Sequence, residues 1–229
     1  MGFKGIYTSV GKTGHWVSFE AMLPELMSLN FEKLPGIDAQ VKMAPLNREK
    51  DIRSMGAGRN PIHSSVLLLC YPLRSGKTGI LLIERQQYPG HHSGQISFPG
   101  GRVEASDQGL ETTALRETFE ETGVNTSEIK LIGKLTPLYI PPSNHLVFPF
   151  VGVALEHPLF QPDPVEVARI LEIPLIDLID PANLRYEIIK LSNGLEVQTP
   201  CYVIDGHVIW GATAMILCEF IDMLPARQT

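Results

Sequence analysis

Cysteine is scarce in this sequence and scattered where it occurs. Cys70, Cys201 and Cys218 are the three present, and no two of them form a C-x-x-C pair. An odd number at such spacing argues against a disulfide framework. A reducing cytoplasm is the expected compartment. Long apolar runs are missing as well. Met1 to Val10 lacks the apolar stretch of a secretory signal. Val66 to Leu69 is only strand-sized, and Val208 to Leu224 is interrupted by Glu219 and Asp222. The second segment therefore reads as a buried amphipathic helix, and no membrane partner is expected. Ala226-Arg227-Gln228-Thr229 carries no peroxisomal or lipid-anchor signal. There is no surplus of positive charge: 19 basic residues face 25 acidic ones, for a net charge of -6. Such a surface has no broad attraction for nucleic acid or an anionic membrane. An anionic substrate then needs a local remedy, a metal or a few placed arginines. A P-loop is also absent. Gly-Lys-Thr-Gly occurs at Gly11 to Gly14 and at Gly76 to Gly79, but Ile6 and Tyr71 stand where the earlier glycine is required. The second copy reads as a hairpin turn.

What is present is an ordinary globular balance, 44% hydrophobic and 19% charged over 229 residues. That fits one domain with an extension. Residues 1–60 form the expected N-terminal extension and residues 61–229 the main domain. Ser18 is placed to cap a helix through Leu29, with Phe19, Met22, Leu23 and Leu26 on one face. Pro35-Gly36 and Met55 to Gly58 break regularity. Val66 to Tyr71 and Gly79 to Ile83 read as neighbouring buried strands. Gln86 to Gly101 reads as a long loop, and Pro137 to His145 as another. A helix is expected from Gln108 to Thr122, with Asp107 as N-cap and Gly123 just past its end. Further strands are expected at Ile129 to Leu135, Val147 to Leu155 and Val165 to Leu171. Leu175 to Ile179 follows Pro174. A hairpin is expected around Asn193-Gly194, from Ile188 to Val203. The last helix runs from Trp210 to Leu224.

The segment Arg116-Glu117-Thr118-Phe119-Glu120-Glu121-Thr122-Gly123 carries the chemistry. Positions three and four apart share a helix face, so Glu117, Glu120 and Glu121 point the same way. Leu115, Thr118, Phe119 and Thr122 are then left for the core. Like charges at this spacing repel by roughly 0.2–0.5 kcal/mol per pair, with no lysine within one turn. Two readings follow: a solvated acidic face, or an oxygen-only site for Mg²⁺ completed by water and substrate phosphates. Mn²⁺ accepts the same oxygen ligands. Upstream, Gly100-Gly101 allows close backbone approach to a ligand or metal.

Gly101 through Val124 resembles the Nudix box. Its Arg-Glu-x-x-Glu-Glu-x-Gly half is matched in full from Arg116 to Gly123. The interval from Gly101 to Arg116 is one residue longer than the general pattern, Gln108 replaces a Glu, and Thr118 replaces a bulky apolar residue. Leu81 to Arg85, Gly94-Gln95-Ile96-Ser97-Phe98-Pro99-Gly100-Gly101 and Asp107 resemble the coenzyme A pyrophosphatase branch of the Nudix hydrolases, which has this longer spacing. Thr113 to Glu117 and Trp210 to Thr213 fit the same branch.

The resemblance implies an α/β fold, an α/β/α sandwich with a mixed sheet between helices, with the helical extension added. It implies metal-dependent hydrolysis of CoA or acyl-CoA to 3′,5′-ADP and (acyl-)4′-phosphopantetheine. Alternatives are a pyrophosphatase for ADP-ribose or another nucleoside diphosphate derivative, and, from another class, a non-catalytic nucleotide-binding module. Glu117, Glu120 and Glu121 are the implied Mg²⁺ (or Mn²⁺) ligands, and Arg116 orients them. Glu120 and Glu166 are the candidates for general base, Glu166 having the alternative of a helix N-terminal residue. Gly94, Gln95, Phe98, Gly100 and Gly101 line the implied substrate approach. Arg85 meets a substrate phosphate or else makes a strand-end salt bridge. His91 and His92 read as solvated loop residues, His145 as a weak substrate contact, and Trp210 as core. The extension has two readings, a homodimer contact or a cover for the domain.

Overall fold

The computed structural model describes residues 18–46, 48–87, 94–191 and 194–225. The chain opens with three short helices, α1 (Phe19–Met27), α2 (Ile37–Gln40) and α3 (Glu49–Arg53). Then come β1 (Ile62–Pro72), β2 (Thr78–Arg85), β3 (Ile96–Ser97), β4 (Gly100–Arg102) and α4 (Leu110–Thr122). They are followed by β5 (Ile129–Lys134), β6 (Leu138–Ile140), β7 (His145–Ala154), β8 (Val167–Pro174) and α5 (Leu175–Leu178). β9 (Leu184–Lys190), β10 (Glu196–Ile204), β11 (His207–Trp210) and α6 (Gly211–Met223) complete it.

β1 is the spine of a mixed sheet. It runs parallel to β7 and antiparallel to β2, β4 and, through β7, to β5 and β6. The alternation of its side chains builds two cores. Leu67, Leu69 and Tyr71 join Leu81, Phe150 and Ala114 of α4 on one face. Leu68 and Cys70 join Ile80, Leu82, Val151 and the apolar side of α6 on the other. A strand buried on both faces needs this unbroken apolar run. The result is the α/β/α sandwich with a mixed sheet between helices. A second antiparallel sheet, in the order β11-β10-β9, lies beside it.

The described part of the extension belongs to the α6-side core. Ser18 Oγ accepts the Ala21 N–H at 3.3 Å and caps α1. Phe19, Met22 and Leu26 are then buried against the main domain, each contributing about 1.5–3 kcal/mol by removal from water. The Phe19 N–H donates to the Gly76 carbonyl at 2.8 Å, in the β1–β2 turn. α2 is tied to α6 through Glu219, which is buried. Its carboxylate accepts from Gly36 N at 3.2 Å, Thr136 N at 3.2 Å and Gln40 Nε2 at 2.8 Å.

Several elements differ from the expectation. α4 starts at Leu110, not Gln108, and its N-cap is Gly109, with no side-chain cap bond. The expected Gln86 to Gly101 loop contains β3 and β4, and the expected Pro137 to His145 loop contains β6, which pairs with β7. β9 begins four residues before the expected hairpin strand, and β11 was hidden in the apolar run before α6. Ser192 and Asn193, at the hairpin tip, and the first Gly-Lys-Thr-Gly copy lie outside the described residues.

Candidate functional site

The site forms where the sheet splays. The C-terminal half of β1 pairs with β2, through Cys70↔Ile80, while its N-terminal half pairs with β4, through Ser65↔Gly101. β2 continues away from β1 between β3 and β8, and Phe98-Pro99 crosses the gap between β3 and β4. Gly100 and Gly101 are thereby laid against α4. Gly100 has φ 153°, a region open to glycine. A Cβ there would run into the Ser65 carbonyl and sit 2.6 Å from Val66 Cα. A Cβ on Gly101 would occupy the space of the Glu117 carboxylate. Gly101→Ala is therefore expected to displace Glu117 and to lower turnover by roughly tenfold to a hundredfold, since misplacement by about 1 Å has that order of effect. Steady-state kinetics on protein of unchanged melting temperature checks it.

α4 brings its carboxylates to this glycine pair because its buried face is made of small residues. Thr113, Ala114, Thr118 and Thr122 are buried. Thr118 Oγ1 donates to the Ala114 carbonyl at 2.7 Å, and Thr122 Oγ1 to that of Thr118. Each hydroxyl is satisfied within the helix, so the helix lies close to the sheet without an orphaned polar group. Thr118 is thus a packing choice. Phe119, expected in the core, is 56% exposed. Glu121 takes an inward position instead, at 2% exposure.

Glu121 is held from both sides. Gly100 N–H donates to Oε2 at 2.8 Å and Arg85 Nη1 to Oε1 at 3.2 Å. Burial pushes its carboxyl up to about 7, against the pull of the Gly100 N–H and Arg85, with Glu117 and Glu166 adding repulsion. Burial also raises Glu117, opposed by Arg116 and reinforced by Glu120 and Glu166. Each of the two carboxylates is paired with one arginine, Glu121 with Arg85 and Glu117 with Arg116.

Arg116 is the brace of the site. Its Nε and Nη2 grip Asp107 at 2.9 and 3.0 Å, while Nη1 donates to Glu117 Oε1 at 2.9 Å and Glu120 Oε2 at 2.8 Å. Nη2 also reaches the Arg102 carbonyl at 3.1 Å. The bidentate partner is therefore Asp107, which was expected to cap the helix. Thr113 Oγ1 donates to Asp107 as well, at 2.8 Å. Charge-assisted bonds of this kind fix orientation as well as energy. The Arg116 hydrogen bond, then the Glu104 N–H, hold the Asp107 carboxyl well below the usual range. A carboxyl lowered on folding adds stability above its unfolded pKa of about 3.9, and loses it as pH falls through the folded value. Asp107→Asn should therefore be less stable than the parent at neutral pH and converge with it in strong acid. Denaturation followed across pH reads this directly.

The segment before β8 closes the other end of α4. Gln161 N–H donates to the Thr122 carbonyl at 2.8 Å and Asp163 N–H to that of Glu121 at 3.1 Å. Gly123 ends the helix at φ 72°, and a Cβ on it would lie 2.7 Å from the Gln161 side chain. This clamp carries Glu166, exposed and within electrostatic reach of Glu117 and Glu121. Glu166 precedes a strand, so the expected alternative of a helix N-terminal residue does not apply. Glu120 is 54% exposed on its side chain.

The structure brings together Arg85, Gly100, Gly101, Arg116, Glu117, Glu120 and Glu121, with Glu166 at the edge. Phe98 is buried in the α6-side core, and Gly94 and Gln95 lie at the start of β3. Arg85 makes the ion pair with Glu121. His145 opens β7 opposite Ile140, and Trp210 is half-buried at the start of α6. His91 and His92 lie outside the described residues. Asp107 as partner of Arg116 was missed. Nothing short of the folded β4–α4 connection signals it, since it lies nine residues upstream.

The donor set is oxygen-only, which suits a hard cation. Among the described residues no group of three or more His, Cys, Asp or Glu side chains closes around one point. Mg²⁺ needs no such cage, because it keeps several waters and uses one or two carboxylates with substrate oxygens. Glu117, lying against the Gly101 backbone, and Glu121, held by the Gly100 N–H, supply the one or two carboxylates that demand requires.

A family model described as the NUDIX domain matches residues 64–191. An uncharacterized Nudix hydrolase NudL from Photorhabdus laumondii is 33% identical over 167 residues, covering 72% of this chain and 86% of that protein. The human mitochondrial coenzyme A diphosphatase NUDT8 is 31% identical over 170 residues, covering 74% of this chain and 72% of that protein. Among solved structures, a Caenorhabditis elegans Ap4A hydrolase binary complex is similar at a TM-score of 0.48 and 16% identity, over 71% of this chain and 97% of that one. The chain belongs to the Nudix family and is a Nudix hydrolase, a pyrophosphatase acting on phosphorus-containing anhydrides.

Proposed function

We propose that the chain hydrolyses the diphosphate of coenzyme A or its acyl derivatives, giving 3′,5′-ADP and (acyl-)4′-phosphopantetheine. The observation that carries this choice of substrate is the 31% identity, over 74% of the chain, to a protein named as a coenzyme A diphosphatase. The geometry supports the reaction class. Half-buried Glu117 and buried Glu121 face the Gly100–Gly101 backbone, and Arg116 holds Glu117 and Glu120 in register.

In this reading Glu117 and Glu121 hold Mg²⁺ or Mn²⁺, with Glu120 as a third oxygen donor. The cation supplies positive charge to the diphosphate and acidifies water. The chain's own residues do the positioning. Arg116 and Asp107 keep the carboxylates from splaying apart. Gly100 N–H and Arg85 fix the Glu121 carboxylate, and Arg85 directs its remaining charge to the diphosphate. As water adds to one phosphorus the bridging P–O bond breaks and the other phosphate leaves with the bridging oxygen; the proton of the attacking water goes to Glu166 or Glu120. Glu166 sits on the clamp over the end of α4, outside the Arg116 network. Gly94 and Gln95 shape the approach, whereas Phe98, buried in the core, does not line it.

Within the extension, residues 18–46 and 48–60 act as a layer of the same folded unit, through α1 and the Glu219 cluster. The three cysteines are buried free thiols, which suits a reducing compartment such as the cytoplasm. Among the described residues no helix is long and apolar enough to cross a membrane.

The test is a ranking of kcat/KM across CoA, acetyl-CoA, ADP-ribose and diadenosine polyphosphates with Mg²⁺. CoA or acetyl-CoA at the top supports the proposal. ADP-ribose or a dinucleotide at least tenfold above them overturns it.

A further inference from the structure

Residues 155–166 run from the end of β7 to the start of β8 and cross the C-terminal end of α4 on the way. Glu166 stands at the far end of this clamp. Burial does not hold the clamp in place, since Leu155, Leu159 and Val165 are exposed. Its course is set by prolines, one ring cluster and hydrogen bonds. Pro158, Pro162 and Pro164 each fix φ at about −65° and stiffen the segment. At the root, His157 Nε2 donates to Glu172 Oε2 of β8 at 2.7 Å, since a carboxylate only accepts. The rings of His157, Phe160 and Tyr71 meet edge to face in all three pairs, with centroids 5.7, 5.8 and 6.0 Å apart, a preferred aromatic arrangement. At the tip, Gln86 bonds the clamp twice. Its N–H donates to the Glu166 carbonyl and its Nε2 to that of Pro164, each at 2.9 Å.

Asp163 is the pivot between root and tip. Its N–H donates to the Glu121 carbonyl at 3.1 Å, at the end of α4. Its side-chain Oδ1 accepts from the Val165 N–H at 2.8 Å. Its carbonyl accepts from the Glu166 N–H at 3.2 Å and the Val167 N–H at 2.8 Å. One residue thus ties the backbone of the buried carboxylate Glu121 to the backbone of Glu166. Glu166, and not Asp163, is among the charges that raise Glu117 and Glu121. The work of Asp163 is therefore geometric. A carboxamide at this position would serve the Val165 N–H as the carboxylate does, because both present an oxygen acceptor.

We infer that Asp163 is a positioning residue for the hydrolysis: its turn, fastened to the end of α4 and stiffened from the His157 root, sets where Glu166 stands against Glu117 and Glu121. The inference rests on the reading in which Glu166 takes the proton of the attacking water, and it does not require CoA to be the substrate cleaved.

A double-mutant cycle on kcat, run on the best substrate with saturating Mg²⁺, tests it. Glu166→Gln should lower kcat by roughly 10²-fold or more, the order of a lost general base. Asp163→Ala should lower kcat by about tenfold, the order of a small misplacement of a reacting group, with KM within about twofold of the parent. In the Glu166→Gln background the same Asp163→Ala change should cost less than about twofold, because residues that act through one another are not additive. Asp163→Asn, which keeps the acceptor for the Val165 N–H, should hold kcat within about twofold of the parent. If Asp163→Ala melts well below the parent, His157→Ala, which releases the root, carries the same cycle. Parental kcat in a folded Asp163→Ala protein overturns the inference. So does an equal loss with and without Glu166, which would make Asp163 act apart from it. Asp163→Asn as slow as Asp163→Ala overturns it as well, since charge and not the turn would then matter. Parental kcat in Glu166→Gln also overturns it, and leaves both the Glu121 centre and the CoA substrate standing. A protein that ignores CoA yet shows the non-additive cycle on another substrate refutes the CoA reading and upholds the role of Asp163.

Discussion

Glu121→Gln is expected to fold and to lose metal-dependent turnover by roughly 10²–10³-fold, because a bound cation contributes several kcal/mol to such a reaction. The amide keeps one oxygen for the Gly100 N–H, which bonds the Glu121 carboxylate at 2.8 Å. It removes the charge that offsets Arg85 and that would attract a cation. The expected signature is a fall in kcat together with a higher Mg²⁺ requirement, at near-parent melting temperature. A variant that retains full turnover would remove Glu121 from the metal site. Glu120→Gln should be milder, since Glu120 is largely exposed and already engaged by Arg116.

Glu219→Ala is expected to be the most destabilising single change outside the apolar core. Glu219 is fully buried. Its loss strands Gly36 N, Thr136 N and Gln40 Nε2, which it now accepts from at 3.2, 3.2 and 2.8 Å. Each buried donor left unsatisfied costs about 1–3 kcal/mol. Part of this is returned by no longer burying a carboxylate. A net loss of about 3 kcal/mol corresponds to a fall in melting temperature of roughly 6–12 °C for a chain of this size. The variant should also loosen α2 and the rest of the extension before the main sheet, so proteolysis should begin between α1 and β1. A melting temperature within one degree of the parent would show that the Glu219 cluster holds nothing together.

The two variants mark what was and was not legible in the sequence. The Arg116 to Gly123 segment was readable because helix periodicity places Glu117, Glu120 and Glu121 on one face whatever surrounds them. The two-sided burial of β1 was readable from Val66 to Tyr71, since a strand covered on both faces is apolar without alternation. The inner face of α4 was misjudged. A helical wheel prefers Phe119 inside, but the fold turns Phe119 out and draws Glu121 in against Gly100. A functional site commonly overrides the local rule in this way. Asp107 fitted the spacing of an N-cap. Its real partner is Arg116, reached only after the Gly101 to Gly109 connection has folded back. β11 carried a usable signal in Asp205-Gly206, both at positive φ, a favoured hairpin dipeptide. The apolar run from Val208 to Leu224 concealed the switch from strand to helix at Gly211. Glu219 looked like an interruption of that run, and its donors lie 83 to 183 residues away.

The most direct measurement is incubation of the purified full-length chain with CoA and Mg²⁺, with the products identified by mass and compared with a parallel reaction in chelator and with Glu121→Gln. Release of 3′,5′-ADP and 4′-phosphopantetheine by the parent alone, and only with metal present, is the expected result. Intact CoA in all three reactions, under conditions where the same preparation cleaves ADP-ribose or a diadenosine polyphosphate, would contradict the CoA assignment. Equal cleavage by Glu121→Gln would contradict the carboxylate centre itself.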